Sequence, residues 1–133
     1  MKITVHVDGG ARGNPGPAAI AAVLTDAGGE VVDSAARVIG RATNNVAEYR
    51  ALIFGIERAV ALGATELELV GDSELVVKQV RGEYRVKDPN LKPLHGQAMS
   101  ALRGLAGWSI RHVKRAQNAR ADELVNDALD ADD

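Results

Sequence analysis

"KITVHVDGGARGNPGPAAIAAVL", residues 2 to 24, sets two apolar segments on either side of a turn rich in glycine and proline. In the first, Ile3, Val5 and Val7 fall on one face and Thr4, His6 and Asp8 on the other, which is the period of a β-strand. The second, beginning at Ala18, reads as another strand, and "VVDSAARVIG" (31 to 40), reached through "AGGE", as a third. Both connections are too short for the crossover that parallel neighbours require, so the three strands form an antiparallel meander. The same stretch poses a chemical problem. Asp8 ends an apolar strand and has no helix to cap, and a carboxylate that loses water there needs hydrogen bonds, a cationic partner or a metal.

Downstream the period changes. From Thr43 to about Leu62, Tyr49, Leu52, Ile53, Ile56 and Val60 recur at helical spacing, and Gly63 is a stop signal. "TELELVG" (65 to 71) is a strand, and the helix before it allows a right-handed crossover that lays it parallel to the first strand. "SELVVKQVRG" reads as a short helix ended by Gly82, "NLKPLHGQAMSALRGL" contains another, "WSIRHVK" is a strand, and "QNARADELVNDALD" is an amphipathic terminal helix. The order βββαβααβα makes one α/β domain over residues 1–133, a mixed five-stranded sheet flanked by helices. Three strands are antiparallel and two follow in parallel.

With 133 residues and 46% apolar content, the chain can bury a real core. Cysteine is absent, which removes disulfides, thiolate metal sites and a cysteine nucleophile, and suits a reducing cytoplasm. No signal peptide precedes "KITVHV", and the apolar runs fall far short of the roughly 20 residues a membrane span needs. The expectation is a soluble, cytoplasmic monomer. A net charge of -2 argues against a general polyanion binder, yet the charge is unevenly spread. "KQVRGEYRVKDPNLK" (78 to 92) carries Lys78, Arg81, Arg85, Lys87 and Lys92, and "RHVKRAQNAR" (111 to 120) carries Arg111, Lys114, Arg115 and Arg120 with no acid, while the tail "DALDADD" masks both in the total.

In such a sheet, ligands gather beyond the carboxyl ends of the parallel strands, where helices begin. Besides Asp8, three acids fall there: Glu48 at the start of the long helix, Asp72 directly after "LELVG", and Asp122 in the first turns of the last helix. Each has an ordinary reading. Asn45 with Glu48 has the spacing of a capping box, Asp72 can cap the helix after it, and Asp122 can complement a helix dipole. Convergence of four acids at one edge would raise their proton affinities unless cations neutralise them. Magnesium fits, because it takes oxygen ligands and completes its shell with water and phosphate. Two ions about 4 Å apart would clamp a phosphodiester during cleavage.

Here the chain resembles type 1 ribonuclease H in its compact form, through "VDGGARGNPGPAA", "TNNVAEYRAL", "LELVGDSELVV" and "VKRAQNARADELVNDAL" in the family's order and spacing. The resemblance implies metal-dependent hydrolysis of the RNA strand of RNA/DNA hybrids to 5'-phosphate and 3'-hydroxyl ends. It implies Asp8, Glu48, Asp72 and Asp122 as catalytic ligands of two Mg2+ or Mn2+ ions. It also implies hybrid contacts from Asn14, Asn44 and Asn45 and from the backbone of Gly9 and Gly10. Such groups can read the 2'-hydroxyl that separates RNA from DNA.

Two departures stand out. The basic, aromatic-rich protrusion of many longer members is missing, since "GEYRVKDPNLKPL" runs directly on, leaving hybrid affinity to dispersed basic residues and Tyr84. The histidine that many relatives carry before the last acid is also missing, and Arg115 stands in that loop, where it can pair with the cleaved phosphate. Trp108, at a strand start, reads as core. Some compact members are fused to a phosphatase domain, so the chain can equally be the N-terminal part of a longer protein. The competing readings are a non-catalytic module binding hybrid or double-stranded RNA, and an unrelated α/β domain whose acids are caps. Four anions facing phosphate argue against a pure binder.

Overall fold

The computed structural model describes residues 1–132 and has the element order expected from the sequence. Strands β1 (Lys2–Ala11), β2 (Gly16–Thr25), β3 (Val31–Ala42), β4 (Glu66–Gly71) and β5 (Gly107–His112) form one sheet in the order β3-β2-β1-β4-β5. The helices are α1 (Asn44–Ala61), α2 (Glu74–Val80), α3 (Lys92–Arg103) and α4 (Ala119–Ala131). The meander pairs antiparallel, while β4 runs parallel to β1 and β5 parallel to β4. This register sets the site. Val7 lies opposite Gly71, the last residue of β4, so Asp8 and Asp72 leave the sheet side by side.

The two faces of the sheet are filled differently. On one, Ile3, Val5, Leu24, Leu67 and Leu69 pack under α1 through Tyr49, Leu52 and Ile56, all essentially inaccessible, and Trp108 packs against the margin of this core as expected. Helix α1 crosses β1 closely at Gly55, where a Cβ would come within 2.7 Å of Val5 and Val7. On the other face Ala19 and Ala21 meet Val125 and Leu129 of α4. The alanine run in β2 thus has a physical sense: alternate small side chains let the last helix sit close to the sheet.

Two boundaries differ from the sequence reading. Gly9 and Gly10 belong to β1, paired with Ile20 and Ala19, so the turn is confined to Arg12–Pro15. Before α4 the chain makes a short 3-10 turn at Arg115–Asn118, and helix proper starts only at Ala119.

Candidate active site

Strand β1 delivers Asp8, buried to 6% exposure, to the centre of a cleft of about 510 Å³. Glu48, Asp72, Asp122, Asn44, Asn45, Gly9, Gly10 and Arg115 also line it, and among the described residues no histidine does. Asp8, Glu48 and Asp72 each offer a carboxylate oxygen within 4.8 Å of the others. Glu48 reaches this point because β1 and the start of α1 approach closely: a Cβ on Gly9 would lie 2.2 Å from the Ala47 carbonyl oxygen. Across that contact the Gly9 N–H donates to Glu48 Oε1 at 2.5 Å. Gly9 therefore acts as spacer and as donor to Glu48, and its N–H is engaged within the protein.

The capping alternatives for two acids do not survive. Thr43, not Asn45, caps α1, its hydroxyl accepting from the Val46 N–H at 3.2 Å, and Glu48 lies beyond the first turn. Ser73, not Asp72, caps α2, accepting from the Val76 N–H at 3.3 Å. Asp122 does lie in the first turn of α4, where an acid suits the dipole.

Electrostatically the cluster is overloaded. Burial, then Asp72 and Asp122, push the Asp8 carboxyl up to about 8. Burial, then Asp8 and Asp72, also drive Glu48 well above the usual carboxylate range, against a smaller opposing pull from the Gly9 N–H. Crowded carboxylates that retain protons are a set short of cations. All the donors are hard oxygens with no nitrogen or sulfur ligand among them, and such a set fits Mg2+ or Mn2+. Of the two arginines that line the cleft, Arg115 pairs with the acids: it is exposed to 73%, and its Nη2 and Nε lie 3.0 and 3.3 Å from the same Asp122 oxygen.

One residue of the site escapes the sequence reading. Asn118 is 2% exposed, donates from Nδ2 to the Val7 carbonyl at 2.8 Å and leaves its Oδ1 buried without a partner among the described residues. It ties the start of α4 to the residue before Asp8, one helical turn ahead of Asp122. The only trace of this in the sequence is the spacing of four between Asn118 and Asp122, which puts both on one side of a helix.

The three asparagines named from the sequence lie exposed at the cleft end of α1 and the β1–β2 turn. Asn14 Oδ1 accepts from the Asn44 N–H at 3.0 Å, and Asn44 Oδ1 accepts from the Ala11 N–H at 2.9 Å. Turn-fixing and substrate contact are therefore compatible: the carbonyl ends lock the turn to the helix, while the Nδ2 ends have no partner among the described residues. Asn45 lines the cleft, and Asn14 stands outside its lining.

The basic segments separate. In the second, Arg111 pairs with Glu68 at 2.7 Å, Arg115 with Asp122, and Arg120 with Glu123 at 3.0 Å, so its apparent freedom from acids is lost on folding. In the first, Lys78 stacks over the Tyr84 ring at 4.9 Å and pairs with Glu74, whereas Lys87 and Lys92 have no ion pair among the described residues. His6 is half-buried on β1, where burial and Arg111 lower its proton affinity. His112 Nε2 lies 3.3 Å from the Asp72 carbonyl, a backbone contact beside the cleft.

Comparison with known proteins agrees with this geometry. The family model described as reverse transcriptase-like matches residues 6–128. Ribonuclease HI of Halobacterium salinarum is 48% identical over 129 residues, 97% of this chain, which spans 65% of that relative's length. The crystal structure of RNase H1 from Halobacterium salinarum NRC-1 superposes with a TM-score of 0.97 at 47% identity, covering 98% of this chain and 99% of that one. LC11-RNase H1, crystallised in complex with an RNA/DNA hybrid, matches at 0.92 and 43% identity over 97% of both chains. The chain belongs to the type 1 ribonuclease H family.

Proposed function

We propose that the protein hydrolyses the RNA strand of RNA/DNA hybrids in a divalent-metal-dependent reaction, leaving 5'-phosphate and 3'-hydroxyl ends. The observation that carries this reading is the convergence of Asp8, Glu48 and Asp72 within 4.8 Å on the cleft floor of a ribonuclease H fold. The hybrid as substrate is supported by the LC11 relative, which was crystallised with one. Residues 1–133 are taken as one catalytic domain, alone or as the N-terminal part of a longer protein. Among the described residues no helix is long and apolar enough to cross a membrane.

Asp8, Glu48, Asp72 and Asp122 would hold a pair of Mg2+ or Mn2+ ions. Bound there, the metals would supply Lewis-acid stabilisation of the charge that develops on the phosphate oxygens. Asp8 is the buried member of the set and feels the charge of both Asp72 and Asp122. Arg115, paired with Asp122 at the cleft, would offer its guanidinium to the scissile phosphate, a role that needs charge and paired hydrogen bonds but no proton transfer. Asn44 and Asn45, with Asn14 behind them, present side-chain amide donors to the RNA strand beside the Gly10 backbone that lines the cleft. They select it through the 2'-hydroxyl. Histidine is not required by this arrangement.

The test is a titration of Mg2+, and separately Mn2+, into a hybrid labelled on each strand in turn. Metal-dependent cleavage of RNA with an intact DNA strand is the expected result. Tight binding without cleavage at any metal concentration would make the protein a hybrid-binding module instead.

A further inference from the structure

The cleft does not end at the acids. Its far wall is Arg12 on the β1–β2 turn facing Val125, Asn126 and Leu129 of α4. The backbone of Arg12 is fixed: its N–H donates to the Pro17 carbonyl at 2.8 Å, and a Cβ on Gly16 would lie 2.0 Å from the Arg12 carbonyl oxygen. From this rigid base the guanidinium reaches Asp130 at 2.7 Å and the Asn126 carbonyl at 3.4 Å. As a staple this contact is weak. The paired side chains are 42% and 66% exposed, and water screens an ion pair so exposed until it adds little to stability.

As a phosphate site the same contact makes sense. A cleft floored by four carboxylates repels a polyanion, and the other arginine lining it is already engaged by Asp122. A guanidinium fork on a pre-set turn, next to the asparagines assigned to the RNA strand, can take a backbone phosphate in the place now held by a carboxylate.

Resting on the hybrid-hydrolase reading above, we propose that Arg12 contacts a backbone phosphate of the bound hybrid and that Asp130 is its internal competitor in the free protein. Binding exchanges the Asp130 carboxylate for phosphate. The acidic tail that masks the basic segments in the sequence total thereby acquires a role in setting affinity.

Hybrid affinity is measured by fluorescence anisotropy at several salt concentrations in the cleavage-blocked Asp72→Asn background, and KM and kcat in the otherwise unmodified protein. Arg12→Ala is expected to raise KM several-fold with kcat unchanged and to lower the log-log salt slope by about 0.7 to 0.9, the loss of one phosphate contact. Asp130→Ala is expected to tighten binding several-fold at low salt, and this gain should vanish in the Arg12→Ala/Asp130→Ala double variant. An unchanged slope and KM for Arg12→Ala overturns the assignment, as does a gain from Asp130→Ala that persists without Arg12. Both substitutions are on exposed side chains, and coincident melting curves verify the fold. If the unmodified protein neither binds nor cleaves the hybrid, the underlying reading falls with it; if it does both and Arg12→Ala matches it, this proposal alone falls.

Discussion

Asp33 on β3 and Asp8 on β1 are both strand carboxylates of one sheet, and the protein treats them in opposite ways. Asp33 receives Arg58 through two hydrogen bonds of 2.7 and 3.1 Å, and that guanidinium holds its carboxyl below the usual carboxylate range. Arg58 is itself steadied over the Phe54 ring at 5.4 Å. Asp8 is more deeply buried, is surrounded by further acids and has no ion pair among the described residues. One carboxylate is neutralised within the fold; the other is left for something from outside. On the proposed reading that asymmetry separates a stabilising charge from a metal-holding one, and it can be broken or sharpened experimentally.

The largest effects fall on the acid cluster. Asp8→Asn or Asp72→Asn should reduce hybrid cleavage by about a thousandfold or more at saturating metal, equivalent to the several kcal/mol that metal-held charge stabilisation supplies. Single-turnover assays check this, and near-normal turnover in either variant would refute the two-metal assignment. Asn118→Ala comes next. It leaves the Val7 carbonyl without its buried donor, so a loss of about 1–3 kcal/mol in chemical denaturation is expected, together with weaker Mn2+ binding by calorimetry as Asp122 loosens. Unchanged metal affinity would reduce Asn118 to a packing residue.

The pH dependence of stability carries the comparison to both carboxylates. Between the usual carboxylate range and about pH 8, the folded protein keeps a proton on Asp8 that the unfolded chain has released, so stability without metal falls as pH rises across that interval. Glu48 acts in the same direction. Asp33 acts in reverse: its contribution is present above the ordinary carboxylate range and is lost as pH falls through its lowered value. Metal-free melting temperatures should therefore decline from pH 5 to pH 8, and Asp8→Asn should flatten that decline. A stability profile that rises over the same range would contradict the charge assignment. The smallest effect is expected at the satisfied pair. Arg58→Ala should cost no more than about 1 kcal/mol, because both partners remain partly exposed to water. Urea denaturation is sufficient to check it.

Most of this fold was legible because its elements are short-range patterns. The alternation around Val5 and Val7, the helical spacing from Tyr49 to Val60 and the brevity of the first two connections determine strand, helix and antiparallel pairing from neighbours alone. Asp8 was legible for a related reason, since an acid ending an apolar strand is locally unreasonable. What stayed hidden depends on contacts across long separations. Asn118 looks like a solvated loop residue until α4 docks on β1, and Arg111 looks free until β4 and β5 align it with Glu68. The glycines after Asp8 read as turn residues, whereas Gly9 is required by the approach of a helix that begins 35 residues later, at Asn44. Spacing suggested caps at Asn45 and Asp72 because the capping signal extends over a few residues, and Thr43 and Ser73 were equally placed to serve.

The most direct measurement is the melting temperature at pH 8 of the unmodified protein and of Asp8→Asn, first in chelator and then with increasing Mn2+. If the cluster is a set of repelling carboxylates awaiting cations, the unmodified protein melts at or below Asp8→Asn in chelator, with about 4 °C gained for each kcal/mol of repulsion relieved. It then rises with Mn2+ while Asp8→Asn responds far less. If Asp8→Asn melts lower in chelator and Mn2+ shifts both proteins equally or neither, Asp8 is a structural carboxylate and the metal-site reading is wrong.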